Sequence, residues 1–566
     1  MLAAQDACPR PAPGALVPEP PDRVSHNGVL RMTLTARNAR EPDGTTRYCY
    51  IDEHGNQSPN LRVKPGDDVI LDLKDDQKSF GEGQARAPKA MTMPMTHGAP
   101  SRQSCTPSTA MTQVATNLHF HGTTIPPSCH ADDVLRTVLE PGGRFEYRFR
   151  IPTDEPPGLY WYHPHIHGYS EPQVLGGASG ALIVEGVERE RPELAGMPER
   201  VFIIRDQDLM HPDAPPSPLE PKVPQVLIDR DGDAANTGTG FGKPAKDISL
   251  NYVPVPYPNY PRGTIRVRAG ERQLWRVLNA SALTYLNLEV LYNNAPQPLG
   301  LVAMDGYPIN QDHHGDDVIW QTHFGIPPGA RVEFIVQTPP AGVPAMLVTR
   351  TVDTGPGGEN DPNRALADIV STADGPEPRV SLAQGEPAAA PSSTAWLGNV
   401  APVRVRHLYF SEKLSNPNDP TSATEFYITV DGQTPKAFSM SDPPDIVAQQ
   451  GTVEDWIIEN RTRELHAFHI HQLHFLLLQY GSINVREDFL RDTINVPFVT
   501  DRSLSYPSVR VRMDFRDPNT VGVFPYHCHL LEHEDKGMMG TIEVAPRAVS
   551  TNPSKTDTVA NSSPRK

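Results

Sequence analysis

Short runs of alternating apolar and polar residues recur along this chain, and one arrangement appears three times. Leu61–Leu73 (LRVKPGDDVILDL), Ile265–Asn279 (IRVRAGERQLWRVLN) and Ile446–Asn460 (IVAQQGTVEDWIIEN) each read as an alternating strand, a glycine turn at Gly66, Gly270 or Gly451, and a second alternating strand. A partner run follows at a distance: LEPGGRFEYRFRIP from Leu139, IPPGARVEFIVQTP from Ile326 and, more loosely, YPSVRVRMDF from Tyr506. Alternation with a period of two puts one face of a strand in a core and the other in solvent. A unit repeated at long intervals is a copied domain. The pattern predicts an all-β chain of three homologous β-sandwich domains.

Length and punctuation agree with that reading. A chain of 566 residues exceeds one ordinary core, and its 61 prolines and 42 glycines separate the Val/Ile/Thr/aromatic runs at turn-like intervals. The expected boundaries are a Pro-rich arm over 1–27, a first domain over 28–190, a second over 191–370, a linker over 371–395, a third domain over 396–548 and a polar tail over 549–566. A net charge of -17, from 51 Lys+Arg against 68 Asp+Glu, leaves no basic face for a phosphate backbone, so nucleic acid is excluded as a partner. No stretch of eighteen apolar residues occurs, so membrane insertion is not expected; a monomer is. The start MLAAQDACPRPAPG lacks the regions of a signal peptide and reads as a mature end behind an added Met1 or as a true cytosolic start, with the first preferred. Setting Cys528 aside leaves Cys8, Cys49, Cys105 and Cys129, which could form two disulfides in any of three connectivities or stay as buried thiols. The even number and the Pro-rich start point to a periplasmic or secreted protein.

The candidate chemistry lies in four segments that hold most of the 21 histidines: NLHFHG (His119, His121), WYHPHIHG (His163, His165, His167), LHAFHIHQLHF (His466, His469, His471, His474) and PYHCHLLEHEDKGMM (His527, His529, His533). Two belong to the first domain and two to the third. Residues two apart on a strand share a face, so each H-x-H offers paired imidazoles. A lone histidine on a strand is ordinarily a satisfied or exposed side chain, which does not account for four grouped sets. His167 and His474 fall outside the pairs and read as supporting or structural.

The last segment selects the metal. Cys528, His533 and Met538, five residues apart, with one further histidine, supply a thiolate, two imidazoles and a thioether, the donor set of a blue-copper site. Zinc would recruit more cysteines or a carboxylate. If His527 and His529 face one way, Cys528 faces the other, so three consecutive residues touch two sites. His466 completes the cysteine site most simply. Eight histidines remain (His119, His121, His163, His165, His469, His471, His527 and His529), and they suit several ions clamped between the first and third domains, with the second as spacer. Met91, Met93 and Met95 in KAMTMPMTHGAP carry thioethers soft enough for Cu(I), although a flexible surface loop is the better explanation of them.

These motifs, in order and spacing over about residues 45–547, closely resemble the multicopper oxidase family, and HCHLLEHEDKGMMG is most similar to bacterial three-domain laccases and cuprous oxidases. The resemblance implies three cupredoxin-like Greek-key β-sandwich domains and four copper ions. Type 1 copper would lie on His466, Cys528, His533 and Met538, type 2 on His119 and His469, and the type 3 pair on His121, His163, His165, His471, His527 and His529. It implies successive one-electron oxidations of a donor at the type 1 site, coupled to reduction of O2 to water at the trinuclear cluster. Glu532 and Asp132 resemble the family's acidic relay residues, with Asp133 as the neighbouring alternative to Asp132. The expected function is a laccase-like oxidase of phenols and other aromatic donors, entering at an exposed edge of a type 1 histidine. A metal oxidase acting on Cu(I) or Fe(II) is the alternative, and a non-catalytic copper-binding protein is a third reading.

Overall fold

The computed structural model describes residues 7–80, 105, 111–217, 221, 228, 233–373, 375, 379, 395–419 and 422–547. The Met91, Met93 and Met95 segment, most of the expected linker and the tail lie outside the described residues.

The three copied runs occupy equivalent places in three two-sheet sandwiches. In each, the strand before the glycine turn pairs in parallel with the last strand of its unit: Asn60–Val63 with Gly180–Val184, Gly263–Arg268 with Arg364–Thr372, and Ile446–Gln449 with Met539–Ala545. The strand after the turn joins the opposite sheet. There it pairs antiparallel with the partner run: Asp68–Asp75 with Arg144–Arg150, Arg272–Asn279 with Arg331–Gln337, and Val453–Asn460 with Ser508–Asp514. The turn is therefore a crossing between layers. Gly66, Gly270 and Gly451 take φ of +88°, +69° and +89°, a region that favours glycine.

Alternation becomes burial as expected. Leu30, Leu34, Leu71 and Tyr147 fill the first sandwich, Ile265, Trp275, Leu288 and Phe334 the second, and Phe410, Trp456, Phe468 and Val511 the third. The third core also takes in Leu283 and Tyr285 from the second unit and Val174 from the first, so the domains share apolar surface.

The arm is part of the body from Ala7 onward. Asp22–Val24 adds a parallel strand beside Asn60–Val63, Leu16 bridges Thr264, and Cys8 is bonded to Cys49. Cys105 is bonded to Cys129, which fixes one of the three connectivities and leaves Cys528 as the free, buried thiol. Among the described residues, no helix is long and apolar enough to cross a membrane.

Candidate metal centre

Four strands carry the site. His119–His121 pairs with Gly158–His163 in a register that sets His119 opposite His163. In the third domain His466–Ile470 pairs with Gly522–Cys528, so that His469 lies opposite His527 and Phe468 opposite Cys528. The two strand pairs face each other across the interface. The eight histidines converge there, with His119 stacked on His471 at 3.8 Å and His121 on His469 at 3.9 Å between ring centroids. His527 Nε2 lies 3.2 Å from His471 Nε2 and 3.5 Å from His165 Nε2. Strand alternation turns Cys528 the other way, into the third core, where its Sγ is 3.5 Å from His466 Nδ1 and 3.8 Å from His533 Nδ1. The short helix Leu531–Asp535 brings His533 back to the thiol, and the Met538 amide donates to the His533 carbonyl at 2.8 Å. Met538 is buried in the core that holds Cys528, whereas Met539 lines a surface hollow with Thr429, Lys436 and Phe438.

The donor set fits metal ions. His119 Nε2, His163 Nε2, His469 Nε2, His121 Nδ1, His471 Nδ1 and both nitrogens of His529 are buried without a hydrogen-bond partner, a costly arrangement unless something else satisfies them. The opposite nitrogens are anchored. His119 Nδ1 meets Asp132 at 2.9 Å, His163 Nδ1 donates to the Pro164 carbonyl at 2.9 Å, and His469 Nδ1 donates to the Asp492 carbonyl at 2.9 Å. Anchoring one nitrogen fixes the tautomer and aims the other inward. Burial and mutual repulsion hold these imidazoles well below their usual pKa, His121 at about 4 and His527 at about 3, and neutral imidazole is the metal-binding form. Burial pushes the Cys528 thiol up, so without a cation it stays protonated.

Of the two acids expected to relay protons, one lies at the cluster and one does not. Asp132 is fully enclosed, meets His119, accepts the Phe120 amide at 2.9 Å and the Gln472 side chain at 2.5 Å, and is raised to about 7 by burial. Asp133, also buried, pairs with Arg136 at 2.8 Å, whereas Asp132 is the neighbour that meets a cluster histidine. Glu532 is placed differently from the expectation: it pairs with Lys536 one helical turn on and interacts electrostatically with Glu171 and Lys246. The carboxylate at the cluster is Glu534, 3.2 Å from His527 Nδ1 and 3.5 Å from His165 Nε2, accepting the Ser170 hydroxyl at 3.2 Å. On a single helical turn, neighbours of His533 point some 100° to either side, and the sequence alone does not say which side faces the cluster. Asp535 fixes that choice by accepting the Gly168 and Ser170 amides at 2.9 and 3.1 Å, which docks this turn onto the first domain.

Two further residues were not legible as site residues. Asp492, in RDTINV, accepts His121 Nε2 at 3.1 Å and lies 3.2 Å from His474 Nε2. Although burial opposes it, Arg331 and His121 hold this carboxylate well below its usual range. Glu464, two residues before His466, places Oε1 3.6 Å from Nε2 of both His466 and His533. The exposed histidine edge expected at the cysteine site is absent: His466 and His533 are 0% exposed, with Phe426 stacked on His533 at 4.1 Å and Phe410 beside His466 at 4.8 Å. His474 supports the cluster through Asp492, and His167 packs against Phe438.

Two family models described as multicopper oxidase match residues 109–189 and 410–548, the two stretches that supply the histidines. The chain is similar to multicopper oxidase mco of Staphylococcus aureus, 23% identical over 441 residues and 76% of each chain. Among solved structures it resembles a multicopper oxidase of Campylobacter jejuni described as a metallo-oxidase, with a TM-score of 0.60, 22% identity and coverage of 95% of this chain and 96% of that one. It also resembles a laccase-like multicopper oxidase of Ochrobactrum sp. described as having oxidase activity towards lignin model compounds, with a TM-score of 0.58, 19% identity and coverage of 94% and 100%. With its three cupredoxin-like domains and a donor set suited to four copper ions, the chain carries two multicopper oxidase domain matches and is similar along most of its length to multicopper oxidases, copper-dependent oxidoreductases that use dioxygen.

Proposed function

We propose that this protein couples one-electron oxidation of a small cationic reductant, a reduced metal ion such as Fe(II) or Cu(I), to the reduction of O2 to water. In the proposed assignment His466, Cys528, His533 and Met538 hold type 1 copper, His119 and His469 type 2, and His121, His163, His165, His471, His527 and His529 the type 3 pair. When bound, these ions take up four electrons singly and supply the redox chemistry. The chain's own work is to orient, insulate and connect. Cys528 lies between His527 and His529, so the backbone itself joins the two sites. Asp132 orients His119, while Glu534 offers a carboxyl at His165 and His527 from which a proton can be handed inward.

The observation that carries the donor assignment is Glu464, a carboxylate enclosed against both cysteine-site imidazoles where no histidine edge reaches the surface. A carboxyl held at both imidazoles offers an oxygen contact to a small cation, and a bulky ring has no opening to either imidazole. The two disulfides support an oxidising compartment, periplasmic or secreted. Oxygen consumption with Fe(II), Cu(I), a phenol and a dye at matched concentrations tests the assignment. A metal ion is expected to give the highest kcat/KM, and a phenol exceeding both ions overturns it.

A further inference from the structure

Among the described residues the second domain contributes no histidine to the cluster, yet the Arg331 side chain reaches the residues that hold it. Arg331 opens the strand Arg331–Gln337 and is wholly buried. All five of its N–H bonds are used, and the acceptors come from three domains. Nε donates to the Leu159 carbonyl of the first domain at 3.0 Å. Nη1 donates to the Gly329 carbonyl at 3.2 Å and Nη2 to the Asp305 carbonyl at 2.7 Å, both within the second domain. The remaining two run side by side to Asp492 of the third domain, at 2.9 and 2.7 Å. A planar fork with five fixed donors can do this, and an ammonium cannot.

Asp492 passes that fixity to the cluster. Its Oδ1 takes His121 Nε2 at 3.1 Å and the Thr493 hydroxyl at 2.8 Å, while its backbone carbonyl takes His469 Nδ1. His121 and His469 are one of the two stacked pairs that join the first domain to the third, at 3.9 Å and 12°. The fold also keeps space for the ion pair. A Cβ on Gly122, the glycine of NLHFHG, would stand 2.3 Å from Arg331 Nη2 and 2.6 Å from Asp492 Oδ2, and one on Gly329 would stand 2.6 Å from His529 Nε2.

We infer that Arg331 is a positioning residue for the trinuclear centre: it fixes Asp492 and, through it, the tautomer and orientation of His121 and His469. The second domain is thus a brace for the cluster as well as a spacer. The inference rests on the ligand assignment proposed above, which copper content and spectra of the unaltered protein test separately.

The experiment compares Arg331→Lys and Arg331→Gln with Arg276→Lys. Arg276 is an equally buried arginine, paired with Glu199 and Glu333, that touches no cluster histidine. Copper content, the type 2 electron paramagnetic resonance (EPR) splitting, the near-ultraviolet absorption of the type 3 pair, apoprotein melting temperature and the rates of the two half-reactions are read for each. The Arg331 variants are expected to keep the blue band and the rate of reduction by donor. Their cluster signals should shift or their cluster copper fall, and reoxidation by O2 should slow by about 10- to 100-fold, the range seen when a partner of a metal ligand is removed. Arg276→Lys should melt lower with unaltered cluster signals. Unchanged signals and reoxidation in the Arg331 variants, or equal changes in Arg276→Lys, overturn the inference. Thr493→Val removes one donor to Asp492 without breaking the ion pair, so it serves where an Arg331 variant does not fold. It should shift the same signals in the same direction by less, and unaltered signals in it overturn the inference too.

Discussion

The cysteine site and the histidine cluster are built on different scales. His466, Cys528, His533 and Met538 all come from the third domain and sit in one apolar core between Phe410 and Phe426. The eight histidines are divided between two domains and held by Asp132, Glu534, Asp492 and Arg331, the last from the remaining domain. A site made within one core depends on packing and tolerates little change of volume. A site made at a junction depends on ion pairs and hydrogen bonds that set how the domains meet. Changes at the first should alter how electrons enter, and changes around the second should alter how they leave to O2.

Cys528→Ser breaks the comparison most severely. It should remove the blue band and reduce turnover to background, because the thiolate is both the source of the colour and the link to His527 and His529, while cluster copper remains bound. Optical and EPR spectra of the purified variant check this. Glu534→Gln should keep both copper complements and slow reoxidation by about 10²- to 10⁴-fold, the usual contribution of a positioned acid. Glu532→Gln, which loosens a partly exposed pair with Lys536, should stay within about threefold of the unaltered rate. Stopped-flow measurement of each half-reaction separates the two glutamates, and equal rates would place the relay elsewhere. A smaller effect than that at Glu534 concerns the donor: Glu464→Gln should raise KM for Fe(II) by about tenfold, the loss of one charge-assisted contact, with little change for a dye. Steady-state assays with both donors check it.

The same difference of scale decides what could be read from the sequence. The three sandwiches were legible because each copied run carries its own alternation and its own turn glycine at Gly66, Gly270 or Gly451. The cysteine site was legible because three of its four donors fall within PYHCHLLEHEDKGMM, and the paired histidines because strand periodicity makes H-x-H a two-donor face. The support around the cluster was not. Asp492 and Arg331 are 161 residues apart and carry no local pattern. Glu534 was not singled out over Glu532 because a single helical turn offers an acid on either side of His533, and its docking onto Ser170 is a tertiary fact. The exposed edge expected at His466 or His533 failed for a related reason, since Phe426 and Glu464 approach from outside the ligand segment.

The central claim is one cysteine site within a domain and one multi-ion site between domains, and copper analysis combined with quantitative EPR on the purified protein tests it most directly. The account predicts four coppers per chain, two of them visible by EPR and two silent as a coupled pair, with copper retained in the cluster when Cys528 is replaced. One copper per chain, or zinc in its place, would contradict it.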